Sequence, residues 1–394
     1  MKDKLNVVFF HLEVPDFRKV GGGGAERQFS MLHYYLGNKK LANSYFLSTK
    51  KGLKNLFILN IIKDKRGTYA LNNISGRFGR IKKIKSYLSF MYFIVTRRID
   101  IVHVVNHFSY NTRYYKLLTM LPRFMRPKLI IQVMDCRMAE AFETGIETEN
   151  NLLGRYSKLF SSVHIDGMFS WYEDFIETAK KKRFVKSNPV MESAKYCFTD
   201  LKRFFPLEKK NIIVFAARLD NHKRPLLFLE ALEKALFDKP KLFQGYRLLI
   251  FGNGPLLNEV LERIKPIQQF MQVEHEMNVT DLAPYIAESK YFVSTQNLEN
   301  FTSLSMLEAM ACGNVIISRN VGQTSYFVRQ GLNGFLCKND DVGDLAITII
   351  DSFSITSKKL EEMGKESIKI AMKEHNVENF SNQLLKFWKT LNEN

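Results

Sequence analysis

Residues 291–318, YFVSTQNLENFTSLSMLEAMACGNVIIS, decide how the rest of the chain is read. The apolar run Tyr291 to Val293 has the character of a buried strand, and Thr302 or Ser303 is placed to cap a helix that runs to Cys312. Gly313 supplies the residue that leaves a helix most easily, before a second buried strand, Val315 to Ile317. The stretch is one strand-helix-strand unit. Within it Glu308 is the only ionisable side chain besides Cys312 between Glu299 and Arg319, and helical spacing sets it on a stripe with Leu304, Leu307 and Ala311. A buried carboxylate without partners is costly, so Glu308 either takes hydrogen bonds from its own protein or faces a ligand that supplies them.

The same alternation continues on both sides. Going back along the chain, Val279 to Glu288 leads into this stretch. Arg247 to Phe251 is a strand followed by the turn Gly252-Asn-Gly-Pro255. Asn211 to Ala217 is a strand from which Arg218-Leu-Asp-Asn-His-Lys223 leads to a helix, Pro225 to Leu236. Residues 181–210 are basic and contain Asn188-Pro189 and Pro206, which suits a linker. Before the linker, strands are expected at Asn6 to His11, Tyr45 to Leu47, Leu56 to Ile62, Ile101 to Val105 and Leu129 to Val133. The glycine run Gly21 to Gly24 opens a helix, Ala25 to Leu36, that carries Phe29, Leu32 and Leu36 on one face and Gly37 at its end. Glycine at a strand-to-helix junction lets a ligand approach the backbone, and a helix N-terminus favours negative charge. Repeated βα units predict an α/β fold of two doubly wound domains, residues 1–205 and 206–376, followed by a C-terminal helix, 377–394.

With 394 residues, 45% hydrophobic and 25% charged, the chain has ordinary globular composition. Its apolar runs are far shorter than the roughly 20 residues of a membrane-spanning helix, and MKDKLNVVFF lacks a secretory pattern, so a cytoplasmic protein is expected. Cys136, Cys197, Cys312 and Cys337 have no metal-ligand or redox spacing. The net charge of +18 is unevenly spread: residues 1–205 hold 36 Lys and Arg against 17 Asp and Glu, residues 206–394 hold 22 against 23. No nucleic-acid recognition signature accompanies the basic half, so an anionic membrane face is the expected partner and nucleic acid is not. Phe78 to Arg98, which joins Lys82, Lys83 and Lys85 to bulky apolar residues, reads either as an interfacial helix or as a helix packed on its own sheet.

Glu308-Ala-Met-Ala-Cys-Gly313 resembles the second half of the paired-glutamate pattern, Glu-x7-Glu then Ala-Met-Ala-x-Gly, of family-4 glycosyltransferases of the GT-B fold. Strict spacing puts Asn300 at the first glutamate position, and Glu299 reaches it through a one-residue bulge; both assignments stand at this point. Gly23-Gly24-Ala25-Glu26-Arg27 resembles the family's Gly-Gly-x-Glu loop. Arg218 and Lys223 match its phosphate-binding pair, with Ala217 where glycine is usual, and Gly252-Asn-Gly-Pro255 resembles its Gly-x-Gly-Pro turn. Asp100-Ile-Val-His103 resembles its Asp-x-x-His strand end, although His103 reads equally as a core histidine. Gly322 and Gly331-Leu-Asn-Gly334 continue the pattern, with Gln323 and Tyr326 departing from it. The resemblance spans nearly the whole chain and is strongest from Asn211 to Leu336.

The resemblance implies two Rossmann-like domains facing across a cleft, with the last helix crossing back to the first domain, and retaining transfer of a sugar from a nucleoside-diphosphate sugar to a glycan or lipid-linked acceptor. Arg218, Lys223, Glu299, Glu308 and His103 would form the catalytic set. Gly23, Gly24, Gly252, Gly254, Asn300, Phe301, Thr302 and Ser303 would contact the donor, and His107 and Asp135 would lie on the acceptor side. No cofactor and no metal are expected, since two fixed cations suit the diphosphate charge. Peripheral contact with the inner face of a membrane and a product in surface polysaccharide complete the expectation. A competing reading is a catalytically inert GT-B protein that binds anionic membrane or nucleic acid through its basic half.

Overall fold

The computed structural model describes residues 4–11, 24–48, 61–63, 68–71, 79–105, 112–133, 160–182, 185, 187–277, 281–297 and 303–393. The chain divides into two units, Met1–Lys195 with Phe380–Asn394, and Tyr196–Asn379. The division falls before the 205/206 boundary read from the basic linker, and side chains explain why. Gln383 accepts from the Lys195 N–H at 2.9 Å and donates to the Ser193 carbonyl at 2.9 Å, which fixes the chain up to Lys195 in the first unit. Two residues later, the buried Cys197 donates its N–H to His375 Nδ1 of the second.

The first unit runs β1 (Asn6–His11), α1 (Gly24–Asn38), β2 (Asn43–Ser48), β3 (Ile61–Lys63), β4 (Thr68–Leu71), α2 (Gly79–Thr96), β5 (Ile101–Val105), α3 (Thr112–Leu118), β6 (Lys128–Val133), β7 (Gly167–Ser170), α4 (Glu173–Lys182) and β8 (Val190–Ser193). The sheet order is β3-β4-β2-β1-β5-β6-β7-β8, parallel except for the edge pair β3 and β4. The strand expected over Leu56 to Ile62 begins at Ile61 in the described residues. Helix α1 continues through Gly37 to Asn38, and Lys40 (φ 55°) takes the left-handed turn expected of Gly37. Phe90, Phe93 and Ile94 of α2 are buried, whereas Ile84, Leu88 and Tyr92 are exposed. Residues from the end of the chain belong to this unit: Phe380, Phe387 and Trp388 pack against Trp171, Phe169 and Phe9 at ring distances of 5.7, 5.4 and 5.8 Å.

The second unit runs β9 (Lys210–Ala216), α5 (Pro225–Asp238), β10 (Arg247–Phe251), α6 (Leu257–Ile267), β11 (Gln272–Glu276), α7 (Ala283–Glu288), β12 (Ser289–Ser294), α8 (Leu304–Ala311), β13 (Val315–Arg319), α9 (Thr324–Phe327), β14 (Gly334–Cys337), α10 (Val342–Phe353) and α11 (Ser357–Lys373); α12 (Val377–Glu393) carries the chain back to the first unit. All six strands are parallel, in the order β11-β10-β9-β12-β13-β14. The apolar runs read as strands are strands because they are covered on both faces, as parallel sheets require. Where it is described, residues 291–297 and 303–318, the opening stretch folds as read, with Tyr291 paired to Val315 and Gly313 at φ +79°. Helix α8 is too short to hold by itself and is fixed by burying Met306 to Ala311. One detail differs: Ser303 stands at its N-cap in extended conformation without a capping hydrogen bond.

Candidate functional site

In an open parallel sheet, ligands bind beyond the carboxyl ends of the strands, where the strand order reverses direction. In the second unit that point lies between β9, from which the order proceeds to β10 and β11, and β12, from which it proceeds to β13 and β14. Among the described residues, 217–224 and 295–297 follow these two strands, and they hold Arg218 and Lys223 on one side and Gln296 on the other.

The first loop is organised by contacts of its own. Asp220 Oδ1 accepts the N–H groups of His222 and Lys223 at 3.0 and 3.1 Å, and its other oxygen lies 3.6 Å from Arg218 Nε. The Arg218 side chain is 73% exposed, so its guanidinium faces solvent rather than the core. Behind the loop stands the Gly252-Asn-Gly-Pro255 turn. Leu219 donates to the Asn253 carbonyl at 3.0 Å and accepts from the Leu256 N–H at 3.0 Å. A Cβ on Gly252 would stand 1.9 Å from the Ala217 oxygen, and one on Gly254 2.2 Å from the Leu219 oxygen. The turn read as donor-binding therefore has a contact of its own: its glycines press on the backbone that carries Arg218.

The two loops are laced together. Thr295 Oγ1 is 3.0 Å from both the Lys223 and Arg224 carbonyls, Asn297 N–H donates to the His222 carbonyl at 2.9 Å, and Lys223 Nζ donates to Gln296 Oε1. Arg319, buried at the end of β13, donates to the Gln296 carbonyl at 3.2 Å and pairs with Asp340 at 2.9 Å; Asp340 also pairs with Arg224. Arg224 adopts the left-handed conformation (φ 49°, ψ 51°) before Pro225, a geometry that costs a non-glycine residue about 1–3 kcal/mol and persists only where the surroundings impose it. Burial, and then the neighbouring Arg224, hold Arg319 below the usual arginine range. Gln296, Arg224, Arg319 and Asp340 were missed in the sequence. The available signal was Arg319 itself, a charge closing the buried run Val315 to Ser318.

Glu308 lies one turn into α8 and is 4% exposed, as its stripe requires. Its neighbour Cys312 is pushed up to about 12, first by burial, with Lys209 opposing and Glu308 adding to the shift. Glu299, Asn300, Phe301 and Thr302 lie outside the described residues, as do Gly23, His107 and Asp135; Gly24 is the first residue of α1.

His103, assigned to the catalytic set, is a core residue. It has no exposed surface, Phe9 and Trp388 rings lie 5.6 and 5.8 Å away, and Trp388 Nε1 donates to its Nδ1 at 3.2 Å. Burial pulls its pKa down to about 3, against an opposing contribution from Gln132. A neutral imidazole facing aromatic rings has no route to an acceptor hydroxyl. Asp100, the other end of that motif, accepts the Asn6 N–H at 2.8 Å and so ties β5 to β1.

The architecture defines a class: two Rossmann-like domains of the GT-B glycosyltransferase type. Residues 210–354 match the family described as Glycosyl transferases group 1, so the second unit carries a domain of that group. N-acetyl-alpha-D-glucosaminyl L-malate synthase of Bacillus anthracis is 26% identical over 174 residues, 43% of this chain and 44% of that protein. The chain spans under half the length of the first curated relatives it matches. Among solved structures, sucrose-phosphate synthase from Thermosynechococcus elongatus superposes with a TM-score of 0.70 at 17% identity, over 98% of this chain and 99% of that one. Anabaena HepE in complex with UDP and glucose superposes with a TM-score of 0.67 at 12% identity, over 98% and 99%. These likenesses establish the fold. Among the described residues no helix is long and apolar enough to cross a membrane.

Proposed function

We propose that this protein is a retaining, metal-independent hexosyltransferase of family 4 that moves a sugar from a nucleoside-diphosphate sugar to a glycan or lipid-linked acceptor at the inner face of a membrane, in surface polysaccharide biosynthesis. The observation that carries the reading is the pre-set loop of Arg218 and Lys223, which leaves β9 where the strand order turns and is tied to the β12 loop through Gln296. In the transfer, the bond from the anomeric carbon to the phosphate oxygen breaks and its electron pair stays on the diphosphate. Arg218 and Lys223 take up that charge, in a geometry fixed in advance by Asp220 and the glycine turn. Glu308 accepts from the ribose hydroxyls, and Glu299 or Asn300 holds hydroxyls of the donor sugar. The acceptor oxygen bonds to the anomeric carbon on the face the leaving group vacates and gives its proton to the departing phosphate, so positioning supplies most of the rate.

Because the Anabaena neighbour carries UDP and glucose, UDP-sugars head the donor panel. The purified protein is incubated with nucleotide-sugars and candidate glycan or lipid acceptors, in EDTA and in Mg2+, and nucleotide release and the anomeric configuration of the product are followed. Release with retention, equal in both buffers, supports the reading. Absence of release with every donor supports the inert alternative, inversion removes the family-4 assignment, and dependence on Mg2+ removes the metal-independent one.

A further inference from the structure

At the amino ends of β5 and β6 in the first unit, the last turn of α2 and a 3-10 turn at Arg123–Met125 enclose a cavity of about 560 Å3. Its wall includes Arg98, Arg123, Arg126 and Lys128. Lys128 lies 3.8 Å from Asp166, but among the described residues Arg98, Arg123 and Arg126 pair with no acid. Arg126 donates one nitrogen to the Thr119 and Leu121 carbonyls, and its buried Nε has no hydrogen-bond partner. Asp100, which accepts the Asn6 N–H, sets one carboxylate on the wall against the four cations. Guanidinium groups gathered in this way, with so little compensating charge, are matched by phosphate oxygens, which they bind in forked pairs.

The rim decides which phosphate. Phe124 on the wall is 89% exposed, the most exposed large hydrophobic residue among those described, and Met120, just before it in the chain, is 75% exposed. Helix α2, whose Val95 lines the cavity, carries Ile84, Leu88 and Tyr92 outward at four-residue spacing, on one helical stripe. A soluble phosphate or a nucleic-acid backbone has no use for an aliphatic and aromatic rim of this kind. A bilayer interface has phosphates and acyl chains at adjacent depths, and an amphipathic surface with arginines meets both.

We propose that this face docks on anionic phospholipid bilayers, with headgroup phosphates entering the arginine cavity and Phe124, Met120 and the outer stripe of α2 entering the acyl boundary. The inference deepens the membrane contact proposed above by naming its surface, and it is independent of the donor chemistry. It also limits the sequence reading of Phe78 to Arg98, since among the described side chains of α2 Phe90, Phe93 and Ile94 are buried while Ile84, Leu88 and Tyr92 are exposed.

The test is co-sedimentation of the full chain with vesicles of phosphatidylcholine alone or with phosphatidylglycerol, with release of a nucleotide from a soluble donor measured in parallel. Wild type is expected on the anionic vesicles only. Phe124→Ser and the double variant R98Q/R123Q should each lower the partition coefficient by about tenfold or more. Phe237→Ser, which removes an exposed phenylalanine of the second unit, should leave it unchanged. Both test sites are on the surface, so melting temperature and nucleotide release stay at wild-type values, and loss of release with intact vesicle binding would instead count against the catalytic reading. Undiminished sedimentation of Phe124→Ser and R98Q/R123Q overturns the proposal. So does displacement from vesicles by inorganic phosphate or an oligonucleotide at matched charge, which would make the cavity a general polyanion site.

Discussion

Trp388 Nε1 donates to His103 Nδ1 at 3.2 Å, joining two fully buried residues 285 positions apart. That bond requires an unprotonated Nδ1, so His103 is neutral in the fold, with a pKa near 3 against 6.5 for a free histidine. Because the folded pKa is depressed, the unfolded chain binds the extra proton between these values. Stability from this group is full above about pH 6.5 and declines as pH falls toward 3, by up to about 1.4 kcal/mol per pH unit. The chain's two tryptophans, Trp171 and Trp388, both lie in the first unit, so urea unfolding followed by tryptophan fluorescence reads this unit alone. The midpoint should fall between pH 7.5 and 5.5, and H103Q, which leaves the indole an acceptor, should remove most of the fall. An equal fall in H103Q would place the titration elsewhere.

Gly254→Ala should destabilise the second unit rather than merely weaken donor binding, because the new methyl meets a backbone oxygen at 2.2 Å and no side-chain rotation relieves it. A loss on the order of 2–4 kcal/mol is expected, with Arg218 displaced as the loop moves. Thermal melting of the variant checks it. An unchanged melting temperature with a raised KM would make the glycine a ligand contact instead of a buttress.

Asp340→Ala leaves the buried Arg319 without its acid and frees Arg224 from the contact that helps hold its left-handed backbone. Removing one partner of a buried pair costs about 3–5 kcal/mol; with Asp340 itself half-exposed, a value near the lower end is expected. Donor KM should rise with it, since the clamp joins both site loops. R319M/D340L, which removes both charges, should recover stability but not KM.

Glu308→Gln keeps the shape of the side chain and removes a buried charge, so stability should hold or improve. If the carboxylate accepts from the donor, KM should rise by roughly tenfold to a hundredfold, the range for a hydrogen bond to a charged group. A fall in melting temperature without a change in KM would assign Glu308 to the interior alone.

Much of this was legible in the chain because periodicity and burial agree. Ile101 to Val105 and Arg247 to Phe251 are strands to the residue, and Gly313 turns as its chemistry demands. The fold class follows from such runs. What was not legible depends on contacts between distant loops: Asp340 and Arg224 are 116 positions apart, and nothing local marks either as a partner. His103 shows the same limit: its motif-like strand end left the catalytic and core readings open, and the residue that bonds it, Trp388, lies in a helix 285 positions further along the chain.

In the proposed transfer Arg218 and Lys223 carry the diphosphate charge. Nucleotide release from the best donor should therefore be compared for wild type, Arg218→Ala and Lys223→Ala, with melting temperature as the control for folding. Losses of about a hundredfold or more in kcat are expected for each variant with melting temperature held, as for other fixed charges aimed at a developing anion. Wild-type release by either folded variant would contradict it.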